Sequence, residues 1–305
     1  MQSIYISRLM QLAEKDKRIL HLVADSGTGY DEMFRHNFPK QIFNFGIAEE
    51  NMVAAAAGLA TTGYIPFVYT SGAFLVYRAL EFIRDDICFQ NLNVKIVGMG
   101  SGLSWSSLGP THHTTEEVSV LRAIPGIKIL SPATPYEVGA CLELAYNYTG
   151  PVYIRIGMNH EKEFFEERHA IDFGKNEIIS EGCDVTIFST GSILGEVVSA
   201  AHILNDKGIS TGVVNVVSIK PFDASNIIEL SKRTKYLATV EEHNIIGGLS
   251  SIIADTLVDN RIDIPLIRIG LCDKFAEGYG TLANVREANK LDCYSIVQKI
   301  MEEMK

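Results

Sequence analysis

The stretch 45-FGIAEENM-52 contains two adjacent carboxylates, Glu49 and Glu50, and leads directly into residues 52–60, which carry no charge. A helix this apolar is typical of one that is buried on most sides, and the pattern predicts it over residues 49–61. Burial disfavours an ionised carboxyl group, whereas the N-terminus of a helix favours its anionic form. Such opposed influences are typical of a carboxyl group that exchanges protons, although both residues also suit simple capping of the helix dipole.

Short apolar runs alternate with amphipathic segments on both sides of this stretch. Before a polar, charged segment at 157–175, this pattern predicts strands at 19–24, 65–69, 94–98, 127–130 and 152–156 and helices at 3–15, 49–61, 74–90, 115–123 and 135–147. After it, the pattern predicts strands at 184–189, 211–217, 236–241 and 265–270 and helices at 193–207, 224–232, 249–259 and 286–304. Parallel strands need such helical crossovers. We therefore predict an α/β protein of two doubly wound domains with mainly parallel sheets, over residues 1–165 and 166–305.

Composition and net charge disfavour some kinds of partner. The 305 residues are 47% hydrophobic and 21% charged, which is ordinary for a globular enzyme, and the net charge of −10 disfavours nucleic acid and anionic membranes as partners. The chain has neither a signal-peptide layout nor a long apolar run, which favours a cytoplasmic location. Its five cysteines lack metal-binding spacing, and we interpret them as small buried hydrophobes.

Seven motifs follow one another along the chain. They are Gly46-Ile47-Ala48-Glu49-Glu50-Asn51-Met52, Gly72-Ala73-Phe74-Leu75-Val76-Tyr77, Gly109-Pro110-Thr111-His112-His113, Ile124-Pro125-Gly126-Ile127, Ser131-Pro132-Ala133, Lys220-Pro221-Phe222-Asp223 and Glu241-Glu242-His243-Asn244-Ile245-Ile246-Gly247-Gly248. In this order they resemble the motifs of the transketolase superfamily of thiamine diphosphate enzymes. The resemblance covers nearly the whole chain and corresponds to the C-terminal half of a transketolase, made as a separate polypeptide.

The resemblance implies a role for five of these side chains at the cofactor and substrate. Glu49 matches the glutamate that hydrogen-bonds the aminopyrimidine ring of thiamine diphosphate and promotes its imino tautomer. Phe74 matches an aromatic residue stacked on that ring, and Tyr77 and Ile47 flank it. His112 matches the histidine that reaches substrate hydroxyls. From the residues alone, two aromatics three positions apart on a helix also suit a core, and a lone histidine also suits a structural role.

The same resemblance assigns Asp25, at the end of a predicted strand, to an acidic interface position near the thiazolium ring. Glu50 is interpreted as a helix-turn surface or interface residue. His113 lacks the neighbouring ligands that a metal site needs, so we predict no metal ligand in this chain.

Three positions depart from sugar-phosphate transketolases. Leu108 stands where the family carries an aspartate, Met158 where it carries an arginine, and Gly100 where it carries a histidine. Because arginine is the usual partner of phosphate, these losses put the standard sugar-phosphate donors in doubt. Trp105, in the serine-rich loop at 101–107, is a candidate wall of the substrate pocket, and Arg155 or Arg78 is a candidate replacement cation.

The family's Gly-Asp-Gly segment, which binds the diphosphate and its Mg²⁺ (or Ca²⁺), is absent from this sequence. The resemblance therefore implies an N-terminal partner subunit that holds the metal, an α2β2 assembly and small sugar substrates. Two alternatives stay open. One is the β subunit of a 2-oxo acid dehydrogenase or decarboxylase, and the other is a non-catalytic subunit that stabilises a partner.

Overall fold

The computed structural model describes residues 1–25, 29–158, 161–164 and 170–305. Its strands form one seven-stranded and one five-stranded sheet, both mainly parallel and both flanked by helices. The predicted fold class, two α/β domains with mainly parallel sheets, is confirmed.

The first sheet is built largely from the N-terminal half of the chain. Its strands there are β1 (Ile19–Val23), β2 (Ile42–Asn44), β3 (Ile65–Ser71), β4 (Lys95–Met99), β5 (Lys128–Leu130) and β6 (Val152–Ile156). The helices are α1 (Gln2–Lys15), α2 (Gly29–Asn37), α3 (Glu49–Thr61), α4 (Gly72–Arg78), α5 (Leu80–Phe82), a π-helix (Ile83–Cys88), α6 (Glu117–Arg122) and α7 (Pro135–Asn147). These six strands run parallel in the order β5-β6-β4-β3-β1-β2. Their carboxyl ends therefore share one edge, where open α/β sheets bind ligands.

The second sheet comes from the C-terminal half. The strands of that half are β7 (Glu177–Ser180), β8 (Val185–Ser189), β9 (Thr211–Asn215), β10 (Ser218–Lys220), β11 (Tyr236–Asn244) and β12 (Leu266–Leu271). The helices are a 3₁₀ turn (Gly191–Ile193), α8 (Leu194–Asp206), α9 (Ala224–Leu230), α10 (Leu249–Asp259), α11 (Leu282–Ala288) and α12 (Cys293–Glu303). The sheet order is β12-β11-β8-β9-β7, with only β7 antiparallel to its neighbour.

Strand β10 connects the two halves of the chain. It follows β9 of the second sheet but pairs antiparallel with β5, at the edge of the first sheet. The predicted strand at 211–217 is therefore wrong at its end, because the chain leaves one sheet after Asn215 and joins the other at Ser218. The domain boundary between residues 165 and 166 stays a prediction, since residues 165–169 lie outside the described residues.

Two long predicted helices are interrupted. The segment 74–90 is divided among α4, α5 and the π-helix, and 286–304 is divided between α11 and α12. Lys290 has a positive φ of 57°, which ends helical geometry, and Asp292 caps α12 by accepting hydrogen bonds from its first turn. Helix α2 and strands β2, β7 and β10 were not predicted. By contrast, α3, α7 and α10 match the predicted bounds.

A buried ion-pair network joins the N-terminal and C-terminal halves of the chain. Arg155 of β6 pairs with Glu117 of α6, and the two side chains are 2% and 0% exposed. The Arg155 guanidinium also donates to the backbone oxygens of Thr114 (3.1 Å) and Glu242 (3.0 Å). Arg286 in turn donates to the Glu242 carboxylate at 2.6 Å. The motif that contains Glu242 thus binds the second domain to the first.

No helix in the described part of the chain is long and apolar enough to cross a membrane. The interpretation of all five cysteines as buried hydrophobes is wrong in part. Cys88 and Cys141 are buried and Cys293 is half-buried, but Cys183 and Cys272 are exposed, since they lie in loops outside the strands and helices.

Candidate active site

The candidate site lies where the chain leaves the parallel strands of the first sheet. Asp25 follows β1, Ile47 follows β2, Phe74 follows β3 at the start of α4, and Trp105 lies in the loop after β4. Parallel strands end at the same edge, so residues far apart in sequence meet there.

Glu49 is the first residue of α3, and its side chain is only 2% exposed. Arg78, the last residue of α4, donates from Nη1 to Glu49 Oε2 at 2.8 Å. The Arg78 guanidinium also lies over the Phe74 ring, 4.6 Å from its centroid. One arginine therefore contacts both the predicted catalytic carboxyl group and the predicted stacking ring.

His112 continues this line of contacts. Its ring lies 5.0 Å from the Phe74 ring in an edge-to-face arrangement and 6.1 Å from the Trp105 ring. The turn that holds it is closed by the His112 amide, which donates to the Gly109 oxygen at 2.9 Å. One continuous cluster thus contains Glu49, Arg78, Phe74, His112 and Trp105. The sequence analysis named each of these residues as a candidate, but it did not predict the contacts that Arg78 makes.

Tyr77 points to a different partner. Its hydroxyl donates to Glu116 Oε2 at 2.8 Å and accepts from the Glu116 amide at 3.1 Å. Burial, together with the nearby carboxylates of Glu117 and Glu116, raises the pKa of Tyr77, so the phenol stays neutral. Tyr77 therefore supports the segment that follows His112, and its predicted contact with the cofactor stays a prediction.

Two further predicted residues lie on adjacent loops beside the cluster. Ile47 is 77% exposed and Asp25 is also exposed. Asn44 holds the two loops together, because its Oδ1 accepts from the amides of Asp25 (3.2 Å) and Gly46 (2.8 Å). This exposure suits a surface that a partner covers, and the roles of Ile47 and Asp25 stay predictions.

Trp105 explains one departure from sugar-phosphate transketolases. Gly100 has a φ of +80°, and a Cβ atom built at this position would collide with the Trp105 indole. The indole therefore occupies the space into which a side chain at position 100 would extend. Its Nε1 is buried without a hydrogen-bond acceptor among the described residues.

The structure also shows where the other two departures and the two candidate replacement cations lie. Leu108 is 45% exposed, and Met158 packs on the apolar core of the first domain. Arg155 cannot serve as a replacement cation, because the buried network described above holds it. Arg78 is likewise engaged, in its case by Glu49.

The second domain also contacts the His112 turn. Tyr279 packs so closely on Gly109 that a Cβ atom there would collide with its ring, and the Ser106 hydroxyl donates to the Gly280 oxygen at 2.9 Å. The sequence analysis missed both contacts, because neither Tyr279 nor Gly280 belongs to a recognisable motif. The Arg78–Phe74 contact did have one, since residues four apart share a helix face.

No cluster of three or more histidine, cysteine or acidic residues in the described ranges could hold a metal ion. His113 is buried, and burial lowers its pKa, so the neutral ring is favoured. The Glu242 carboxylate and the Trp105 backbone oppose this lowering but do not outweigh the effect of burial.

Two family models match the chain. The model of the transketolase pyrimidine binding domain matches residues 1–159, and that of the transketolase C-terminal domain matches residues 174–288. Together they cover most of both sheets.

Proteins of similar length match over nearly their whole chains. A putative transketolase C-terminal section of Methanocaldococcus jannaschii is 37% identical, with the match covering 100% of this chain and 96% of the relative. One subunit of an apulose-4-phosphate transketolase from Actinobacillus succinogenes is 34% identical over 97% of this chain and 95% of its own. A solved structure described as a split-gene transketolase, an inactive β4 tetramer, superposes with a TM-score of 0.88 at 32% identity, covering 99% of this chain and 97% of the other.

Proposed function

The chain belongs to the transketolase family as the C-terminal section of a split transketolase, and we propose that, with an N-terminal partner subunit, it transfers a two-carbon ketol unit from a ketose to an aldose. The observation that carries this proposal is the line of contacts from Glu49 through Arg78 and Phe74 to His112. It brings a buried carboxyl group, an aromatic face and an imidazole together at the carboxyl edge of a parallel sheet.

The cluster fits the aminopyrimidine ring of thiamine diphosphate. A flat heteroaromatic ring needs an aromatic face for stacking and a hydrogen-bond partner for its nitrogen, and half-buried Phe74 and buried Glu49 offer both. When bound, the cofactor would supply a nucleophilic thiazolium carbon for the donor carbonyl and a cationic ring that delocalises the electron pair left by the broken carbon–carbon bond.

In this proposal each side chain has a separate task. Glu49 exchanges a proton with the ring nitrogen, in a pocket with little water to compete for it. Phe74 orients the ring by stacking. His112 donates a hydrogen bond to a donor hydroxyl, and Trp105 forms the adjacent wall. Tyr77, Ile47 and Asp25 line the remainder of the site from this chain.

The diphosphate and its Mg²⁺ (or Ca²⁺) are held, in our proposal, by the partner subunit, and two copies of each subunit form an α2β2 enzyme in the cytoplasm. The matched relatives support a divided enzyme, since one is named as a subunit of a transketolase and another was solved as an inactive tetramer of β chains. Each of those proteins has about the length of this chain.

The experiment that tests the proposal is a calorimetric titration of thiamine diphosphate and Mg²⁺ into the isolated chain and into the chain mixed with its N-terminal partner. We expect heat of binding, and ketol transfer, only from the mixture, because the isolated chain offers the pyrimidine half of the site alone. Micromolar binding to the isolated chain would contradict the division of the site. Oxidative decarboxylation by the mixture would favour the alternative of a 2-oxo acid dehydrogenase subunit. The absence of any activity would favour the alternative of a non-catalytic subunit that stabilises its partner.

We further expect the donor to differ from that of a pentose-phosphate transketolase at the end remote from the reacting carbon. Leu108, Met158 and Gly100 lack the charged or polar groups of the family, and each lost charge-assisted contact is worth about 1.5–3 kcal/mol, or about tenfold or more in specificity. The measurement is kcat/KM for xylulose 5-phosphate against non-phosphorylated and modified ketoses. Apulose 4-phosphate, named for one relative, belongs in that panel. A clear preference for xylulose 5-phosphate would contradict this expectation.

A further inference from the structure

Arg78 contacts both Glu49 and Phe74. Its guanidinium donates from Nη1 to Glu49 Oε2 at 2.8 Å and lies 4.6 Å from the centroid of the Phe74 ring. Guanidinium is planar, so a hydrogen bond along one edge and a ring beneath its face together restrict its orientation. Arg78 is thus held by the same two residues that are proposed to bind the cofactor ring.

The burial of the pair is unequal. The Glu49 side chain is 2% exposed, whereas that of Arg78 is 42% exposed. A carboxylate removed from water is costly unless a charged or hydrogen-bonding partner compensates it. No second side-chain hydrogen-bond partner of the Glu49 carboxyl lies among the described residues. Besides the N-terminus of α3, Arg78 is therefore the group that compensates its burial.

We propose, on the basis of the function proposed above, that Arg78 is the positioning residue of Glu49. By binding Oε2 it restricts rotation of the carboxyl group and leaves Oε1 as the oxygen available to the nitrogen of the cofactor ring. By packing on the Phe74 ring, it also fixes the position of that ring relative to the Glu49 carboxyl group. Arg78 itself touches neither substrate nor the reacting atoms in this scheme.

The first part of the test uses the isolated chain, without partner or cofactor. We expect Arg78→Met to lower the melting temperature by about 2–5 °C, because it leaves the buried Glu49 carboxylate unpaired. In a Glu49→Gln background the same substitution should cost less than about half as much, since the side chain is then neutral. An equal loss in both backgrounds would overturn the proposal.

The second part uses the reconstituted enzyme. Arg78→Met should lower kcat about 10–100-fold and leave the KM of the donor within about twofold, because misorientation affects the reacting geometry more than donor binding. Arg78→Lys should be intermediate, since it keeps the charge without the planar fork. The matched control is Arg84→Met, an arginine 67% exposed and paired with the adjacent Asp85, which should behave as the wild type.

A wild-type kcat in Arg78→Met would overturn the positioning role. A wild-type mixture that binds no thiamine diphosphate would instead count against the proposed function. The melting experiments need neither partner nor cofactor, so they would still decide whether Arg78 holds Glu49.

Discussion

Glu49→Gln in the reconstituted enzyme is expected to lower kcat by about 10²–10⁴-fold while the fold is retained. Glutamine keeps the size and hydrogen-bonding shape of the side chain but cannot exchange a proton, and general acid–base steps contribute an effect of this order. Because a neutral amide can still bond to Arg78, the packing at the start of α3 should survive. The measurement is steady-state kinetics, with circular dichroism to confirm the fold.

The matched control for this prediction is Glu50→Gln, the same chemical change one residue along the same helix. Glu50 is half-buried and lies outside the cluster formed by Glu49, Arg78, Phe74 and His112. We expect its kcat to stay within a few-fold of the wild type. Equal losses from both substitutions would show that the proton exchange does not belong to Glu49.

Arg155→Met is expected to lower the free energy of unfolding of the isolated chain by about 3–5 kcal/mol, the range typical of a broken buried ion pair. The substitution leaves the Glu117 carboxylate, which is 0% exposed, without its cation. It also removes the hydrogen bonds to the backbone oxygens of Thr114 and Glu242. The measurement is urea unfolding of the isolated chain.

Two controls separate this effect from the loss of any arginine. Arg233→Met removes a guanidinium that is 48% exposed and paired with Glu181 and Glu229, and exposed pairs are worth about 0–1 kcal/mol. The double variant Arg155→Met with Glu117→Gln should regain part of the loss, because the uncompensated charge is gone. A loss no larger than that of Arg233→Met would refute the structural role of Arg155.

The sequence by itself determined the α/β class, most strands of both sheets, and the bounds of α3. These features follow from the spacing of apolar residues along the chain, which is a local property of the sequence. The ordered motifs likewise predicted Glu49, Phe74 and His112, which the structure brings into one cluster.

Only the tertiary structure decided how those elements meet. The pairing of β10 with β5, the Arg78–Glu49 bond across 29 positions and the Arg155–Glu242 bond across 87 positions join separate elements. The sequence left Arg155 and Arg78 as candidate phosphate ligands, and both are instead engaged with carboxylates. The physical reason is that the partner of a long charged side chain depends on which elements pack against it, and burial makes an unpaired charge too costly to leave.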